Sequence, residues 1–279
     1  MARVLVAIIS RDRPNLLKLT SKYMFGMTDV WIYDDDSTHP EVLDYLEGTC
    51  CEVVHFTGNR GIECRTYQDR AMRCARIRAK IFDDFLEKDE FDYLLLKDDD
   101  VLIPSASFRE AVDDFEFFRN TDYMCDVGAL TLHGLQTHLG NIMDVRGGVF
   151  RDLEITGEAN VLFSREAALV TGNHFAAVKG GFADTQFSAL RQGGFRYVDR
   201  VWPPYQIQHL GFGPQGSIIH GAERSPSWNQ GPYTCTYHRM NRGKPVQVPD
   251  FDLSTFHQNA ATLGGEAAAG VYSRKGKPI

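Results

Sequence analysis

The chain has 279 residues, of which 43% are hydrophobic and 24% charged, with a formal net charge of -7 at neutral pH. This length allows one large α/β domain or two small ones, and the composition is that of an ordinary globular protein. The acidic balance argues against a protein whose main task is to coat nucleic acid.

The first hundred residues alternate short apolar runs with stretches of helical spacing. The apolar runs are rich in β-branched residues and predict buried strands. The amphipathic stretch 61–88 and the stretch that follows Pro14 predict helices. Strands that alternate with helices predict a mostly parallel sheet covered on both faces. The predicted strands are 3–10, 29–38, 50–56 and 91–100, and the predicted helices are 11–24 and 61–88.

The pattern becomes irregular beyond residue 104. Residues 105–120 predict a helix and 127–134 a strand, whereas the glycine-marked stretch 147–172 predicts an antiparallel hairpin followed by a turn or helix. A helix between two glycine pairs, leading into a strand, is predicted for 180–200. The second half is therefore expected to form a smaller, antiparallel portion of the fold.

Polar clusters end three of the predicted strands, at residues 10–13, 34–36 and 98–100. Because ligands gather outside the carboxyl ends of parallel strands, we expect these clusters to form one site. Two acidic clusters at one edge disfavour folding unless a cation neutralises them. Mg²⁺ or Mn²⁺ bound to a diphosphate would do so, since hard cations prefer oxygen ligands. The alternative is that these acids are loop or capping residues.

The six cysteines show neither a CxxC pair nor the spacing of metal ligands. They predict reduced thiols in a cytoplasmic protein, or one in the host cytoplasm if the protein is viral. The apolar run 4–9 is too short for a signal peptide or a membrane span, so no integral membrane segment is expected.

Five stretches, in order, resemble the motifs of GT-A fold nucleotide-sugar glycosyltransferases, especially the inverting enzymes of family 2. They are "VLVAIISRDRP", "VWIYDDDST", "NRGIECR", "YLLLKDDDVLIP" and "GGFADTQFSALRQGGFRYV", and they span roughly residues 3–212. The resemblance implies a GT-A, Rossmann-like domain over 1–223. Its nucleotide-sugar-binding half would be 1–104 and its acceptor and catalytic-base half 105–223, followed by a basic, loop-rich extension over 224–279.

The resemblance also assigns roles to individual residues. The acid that would act as catalytic base is Asp184, although Ala183 and Gln186 stand where the family has further acids. The metal ligands would come from the triplet Asp98, Asp99 and Asp100, two of which suffice, and from a histidine, His209 in preference to His220. The residues expected to bind the nucleotide sugar are Ser10, Arg11, Arg13, Asp35, Gly61, Arg65 and Asp98.

The implied reaction is a single displacement with inversion, in which one carboxylate takes the proton of the acceptor hydroxyl while the nucleoside diphosphate leaves. Two other functions compete with it. A sugar-nucleotide nucleotidyltransferase has a similar sheet, but "SRDRPN" lacks the glycine-rich loop that such enzymes usually have. A non-catalytic module that binds nucleotide sugars is the other alternative.

The sequence leaves two alternatives for the acceptor, a saccharide and a hydroxymethylated base in DNA. Residues 224–279 contain seven Lys or Arg and only three Asp or Glu, so this end suits an acidic partner, unless it is a solvated tail. Interleaved basic and aromatic residues suit a phosphate backbone with an unstacked base, but aromatic rings also stack on sugars. The candidate acceptor residues are Trp228, Tyr233, Arg239 and Arg242.

Overall fold

The computed structural model describes residues 2–62, 67–132, 142–153, 160–177, 189–202, 205, 207–209, 238–241 and 244–247. The strands are β1 (Val4–Ser10), β2 (Asp29–Asp34), β3 (Glu52–His55), β4 (Tyr93–Asp98), β5 (Val101–Leu102), β6 (Val127–Thr131), β7 (Ile142–Val145), β8 (Gly148–Asp152), β9 (Val161–Ser164), β10 (Arg196–Trp202), β11 (Gln208–His209), β12 (His238–Asn241) and β13 (Lys244–Gln247). The helices are α1 (Pro14–Met24), α2 (Pro40–Gly48), α3 (Tyr67–Glu87), α4 (Ser105–Arg119) and α5 (Arg165–Ala177).

Within these residues, nine strands form one sheet in the order β3-β2-β1-β4-β9-β6-β10-β8-β7. Strands β1 to β4 pair in parallel, and β9 is inserted antiparallel between β4 and β6. Only β8 and β9 oppose the common strand direction. The predicted mostly parallel sheet is confirmed, and the antiparallel strands belong to the same sheet.

Helices cover both faces of the sheet, as the strand and helix alternation predicts. On one face the core contains Leu17 of α1, Val42 of α2 and Phe115 of α4. On the other face it contains Phe82 of α3 and Ala167 of α5. The strands between these layers are almost wholly apolar because both of their faces are buried.

The structure differs from the sequence prediction at two places. The stretch 147–172 contains β8, β9 and the start of α5, but its two strands do not form the predicted hairpin, because β8 pairs with β7 and β10 whereas β9 pairs with β4 and β6.

Helix α2 has no counterpart among the predicted elements, although Pro40 at its first turn and the buried pair Val42 and Leu46 are a helical signature. Its nine residues are too few to give a clear period.

Two small sheets complete the described structure. Strand β11 pairs antiparallel with β5, and β12 pairs with β13 in a hairpin. None of the helices in the described residues combines the length and the hydrophobicity that a membrane span requires.

Candidate active site at the carboxyl edge of the sheet

The carboxyl ends of β2, β1 and β4 meet at one edge of the sheet, as the sequence predicts. The strand registers place Ser10 beside Asp34 and Ile9 beside Asp98. The polar loops that follow these strands are therefore neighbours, and the loop residue Asp35 donates its backbone N–H to the carbonyl of Ser10 at 2.9 Å.

Asp99, in the middle of the acidic triplet, is bound by the loop after β1. The hydroxyl of Ser10 donates to its Oδ2 at 2.7 Å, and Nη1 of Arg13 donates to its Oδ1 at 2.8 Å. The neighbouring Asp99 carboxylate raises the pKa of the Arg13 guanidinium above its ordinary value. Burial raises the pKa of Asp99, and the contacts with Arg13 and Ser10 oppose that shift. Both oxygens of Asp99 thus have partners within the protein.

Lys97 supplies a second cation to the triplet. Its side chain is fully buried, and Nζ donates to the backbone carbonyl of Asp98 at 2.7 Å. Burial lowers the pKa of Lys97 to about 8, against the opposing effect of the three carboxylates. A buried ammonium beside three acids offsets part of their mutual repulsion.

Asp35 lies in a second buried network, and its partners come from the segment after β3 and from α3. Nδ2 of Asn59 donates to its Oδ1 at 2.8 Å, and Nη2 of Arg73 donates to its Oδ2 at 2.6 Å. Burial raises the pKa of Asp35 to about 6, although the hydrogen bond from Asn59 opposes the shift. The carboxylate is held in one orientation and retains acceptor capacity for a ligand.

The other two acids of the second cluster also have partners. Asp36 forms an ion pair with Arg60 at 2.7 Å, and Asp34 accepts a hydrogen bond from the backbone N–H of Ser37 at 3.2 Å. Cations of the protein itself therefore contact both acidic clusters, and the metal stays a prediction. The protein's own cations meet most of the charge, and repulsion among the acids is not by itself evidence for a metal.

The turn after β3 is built as the Asn-x-Gly pattern requires. Gly61 has φ +77, a left-handed conformation that residues with a Cβ rarely adopt. Arg73 donates to the carbonyl of Ile62 at 3.1 Å, so it joins this turn to Asp35. Arg11 lies exposed after β1 and contacts Asp12 at 3.7 Å. Arg65 lies outside the described residues.

Asp98 and Asp100 are the other two carboxylates of the triplet, and Oδ2 of Asp100 lies 3.6 Å from Nη1 of Arg13. Within the described residues no group of three or more His, Cys, Asp or Glu side chains is gathered for a metal ion. Two carboxylates still fit Mg²⁺ or Mn²⁺, since Mg²⁺ is commonly held by one or two carboxylates together with substrate phosphates. The backbone of His209 pairs with Val101, the residue after Asp100, which places this histidine at the same edge.

Several predicted site residues lie outside the described part of the chain. These are the candidate base Asp184, the alternative ligand His220, and the acceptor candidates Trp228, Tyr233 and Arg242. Arg239 lies in β12, where it pairs with Val246. Their roles stay predictions.

Three buried residues of the site are not among those assigned from the sequence: Asn59, Arg73 and Lys97. Asn59 lies in the "NRGIECR" stretch, in which the resemblance points to Gly61 and Arg65. Arg73 stands among the apolar positions of the α3 stripe, and a basic residue at such a position is the signal that would have marked it.

Comparison with known proteins gives structural likenesses only, because no family model and no curated protein matches the chain. The crystal structure of TarS 1-349 from S. aureus in complex with UDP-GlcNAc has a TM-score of 0.45 and 11% identity over 77% of this chain. A second structure of TarS 1-349 has a TM-score of 0.42 and 12% identity over 73% of this chain. The chain spans 63% and 59% of these two structures. The A197 protein from STIV has a TM-score of 0.37 and 13% identity, over 74% of this chain and 85% of its own. All these scores are low, so the likenesses assign no function to this chain.

Proposed function

We propose that this chain is a GT-A type glycosyltransferase that moves a sugar from a nucleoside-diphosphate sugar, taken here as a UDP-sugar, to a hydroxyl acceptor with inversion. One observation carries the proposal. A fixed carboxylate, Asp35, and the acidic pair Asp98 and Asp100 share the carboxyl edge of β2, β1 and β4. This is the edge at which α/β sheets bind nucleotides.

Asp35 is the group best suited to the nucleoside. Its two oxygens are held by Asn59 and Arg73, so its orientation is fixed before a ligand arrives. A fixed carboxylate accepts hydrogen bonds from a ribose hydroxyl or a base N–H without a large cost in side-chain entropy. The carbonyl of Ile62, next to Gly61, accepts from the same Arg73 guanidinium that binds Asp35, so the backbone of this turn lies near the carboxylate.

The diphosphate would lie toward the triplet. Asp98 and Asp100 would hold Mn²⁺ or Mg²⁺, which, when bound, offsets the negative charge that develops on the leaving diphosphate. Arg13 is committed to Asp99 and so contributes by holding the triplet in place. Arg11 is exposed at the same edge and contacts the neighbouring Asp12 at 3.7 Å, so it is the candidate for a direct contact with phosphate.

The chemical step needs a base for the acceptor hydroxyl. Asp184 is proposed for this role from its motif, with proton transfer from the hydroxyl to the carboxylate as the new glycosidic bond forms. Attack from the face opposite the leaving group inverts the anomeric carbon. No second carboxylate acting as a nucleophile is invoked.

The test is a mass-spectrometric screen of UDP-sugars against saccharides and hydroxymethylated DNA, with the parent chain and Asp184→Asn. We expect transfer by the parent, and for the variant unchanged donor binding in calorimetry with turnover lost, since only the proton acceptor is removed. Donor binding without transfer to any acceptor would favour the non-catalytic binding module. Full activity in excess EDTA would contradict the metal requirement, and loss of donor binding in Asp184→Asn would contradict its role as base.

A further inference from the structure

Asn160 lies at the same edge of the sheet, outside the residues assigned to the nucleotide or the metal. It directly precedes β9, whose first residue, Val161, pairs with Leu96 of β4 and Thr131 of β6. The carbonyl of Asn160 accepts the backbone N–H of Leu132 at 2.9 Å. Because β9 runs antiparallel to its neighbours, its beginning lies where β4 and β6 end.

This position adjoins the acidic triplet. The register of β4 and β9 ends at the pair Leu96 and Val161, and the next residues along the two chains are Lys97 and Asn160. Lys97 is followed at once by Asp98. Asn160 therefore belongs to the site by its place in the sheet, although it is 60 positions from Asp100, the nearest member of the triplet in the sequence.

The side chain of Asn160 is buried and has no hydrogen-bond partner among the described residues. Its relative exposure is 0%, and both Nδ2 and Oδ1 lack a partner. The great majority of buried polar side-chain atoms in native proteins have a partner, so a buried amide with neither atom paired needs an explanation.

The backbone of Asn160 has a second uncommon feature. Its φ is +60, in the left-handed region, which few residues with a Cβ occupy and which asparagine enters more readily than most of them. Strained backbone and unsatisfied polar groups recur at ligand sites, where the bound ligand supplies the missing contacts. Two such features coincide in one residue beside the proposed donor site.

The chemistry of the amide selects the ligand class. A carboxamide offers two N–H donors and an acceptor oxygen, whereas phosphate oxygens need donors alone and a divalent cation needs acceptors alone. Sugar hydroxyls both donate and accept, so neighbouring hydroxyls on a ring match both ends of the amide. We propose that Asn160 binds hydroxyl groups of the transferred sugar and thereby helps to select the donor. This inference rests on the proposed function.

The experiment compares Asn160→Gly with Asn59→Ala, the latter a matched change of another buried asparagine at the same edge. Glycine adopts φ +60 without strain, so this substitution removes the amide and leaves the backbone conformation available. Dissociation constants of UDP and UDP-GlcNAc are measured by calorimetry for the parent and both variants. Melting temperatures are recorded without ligand.

We expect Asn160→Gly to leave UDP binding unchanged and to weaken UDP-GlcNAc binding roughly tenfold, the loss of about two neutral hydrogen bonds. Asn59→Ala should weaken both ligands by the same factor, because it acts through Asp35 at the nucleoside end. Without ligand, Asn160→Gly should melt at or above the parent's temperature, since an unsatisfied amide is removed.

Two other results would overturn the role of Asn160, and they show whether the proposed function fails with it. If Asn160→Gly lowers the melting temperature and leaves the ratio of UDP to UDP-GlcNAc affinity unchanged, the amide is structural and only the inference fails. If the parent binds neither UDP nor UDP-GlcNAc, the UDP-sugar proposal fails, and the assignment of Asn160 fails with it.

Discussion

Replacing Asp99 by alanine separates the structural part of the acidic triplet from its proposed metal site. Asp99 accepts from Ser10 at 2.7 Å and from Arg13 at 2.8 Å, and only 3% of its side chain is exposed. The Asp99→Ala variant leaves a mostly buried guanidinium and a buried hydroxyl without their acceptor. Asp100 contacts the same guanidinium at 3.6 Å and is the matched control.

The magnitude follows from the burial of the pair. Removing one partner of a buried ion pair costs about 3–5 kcal/mol, because the other charge stays buried and uncompensated. Arg13 retains 22% exposure, so water reaches it in part and the lower end, about 3 kcal/mol, applies. For a chain of this size, about 3 kcal/mol corresponds to a fall in melting temperature of roughly 6–12 °C. Asp100→Ala should cost much less, because it also relieves repulsion within the triplet.

The assay is thermal unfolding of the parent, Asp99→Ala and Asp100→Ala, together with Mn²⁺ titration in the presence of UDP. We expect Asp99→Ala to lose stability and Asp100→Ala to keep stability but lose Mn²⁺ affinity. A double-mutant cycle with Arg13→Met isolates the ion pair, and its coupling energy should account for most of the loss.

Two outcomes would refute this reasoning. An Asp99→Ala variant that melts with the parent would mean that the pair with Arg13 contributes no stability. An Asp99→Ala variant that melts normally and loses Mn²⁺ affinity would instead make Asp99 the ligand, with Arg13 giving way to the metal.

Two further predictions concern the ends of the substrate. The ionised Asp35 carboxylate should accept stronger hydrogen bonds from the donor than the protonated acid does, and its pKa of about 6 means that the ionised fraction falls roughly tenfold between pH 7 and pH 5. Calorimetry should therefore show weaker UDP-GlcNAc binding at pH 5, by up to about tenfold, and Asp35→Asn should remove this pH dependence. A parent affinity that is flat across this range would contradict the role of Asp35. Neutralising Arg239, Arg242 and Lys244 together should raise the KM of a DNA acceptor severalfold and flatten its salt dependence while the donor KM stays unchanged. A saccharide acceptor predicts little salt dependence and a larger loss from Trp228→Ala, so an acceptor KM that is indifferent to salt in the parent rules out DNA.

Local sequence determined the backbone frame of this protein. Apolar runs such as Val4–Ser10 and Tyr93–Asp98 are buried on both faces, and a run of that kind between amphipathic stretches has few other folds available. The same logic placed Ser10, Asp35 and the triplet at one edge, because the carboxyl ends of parallel strands coincide. Helix α2 was missed since its two buried positions are too few to set a period.

The tertiary structure alone decided which acidic and basic side chains form ion pairs. Arg73 is 38 residues from Asp35 and Arg13 is 86 residues from Asp99, and no local pattern links residues so far apart. Such pairs depend on the strand order and on the depth at which each helix packs against the sheet. For the same reason the sequence showed the acids without their partners Arg13, Arg60 and Arg73. Asn160 is the residue of the site that the sequence indicates least. Its burial and its left-handed backbone arise where β9 is inserted between β4 and β6, and only the folded chain creates this arrangement.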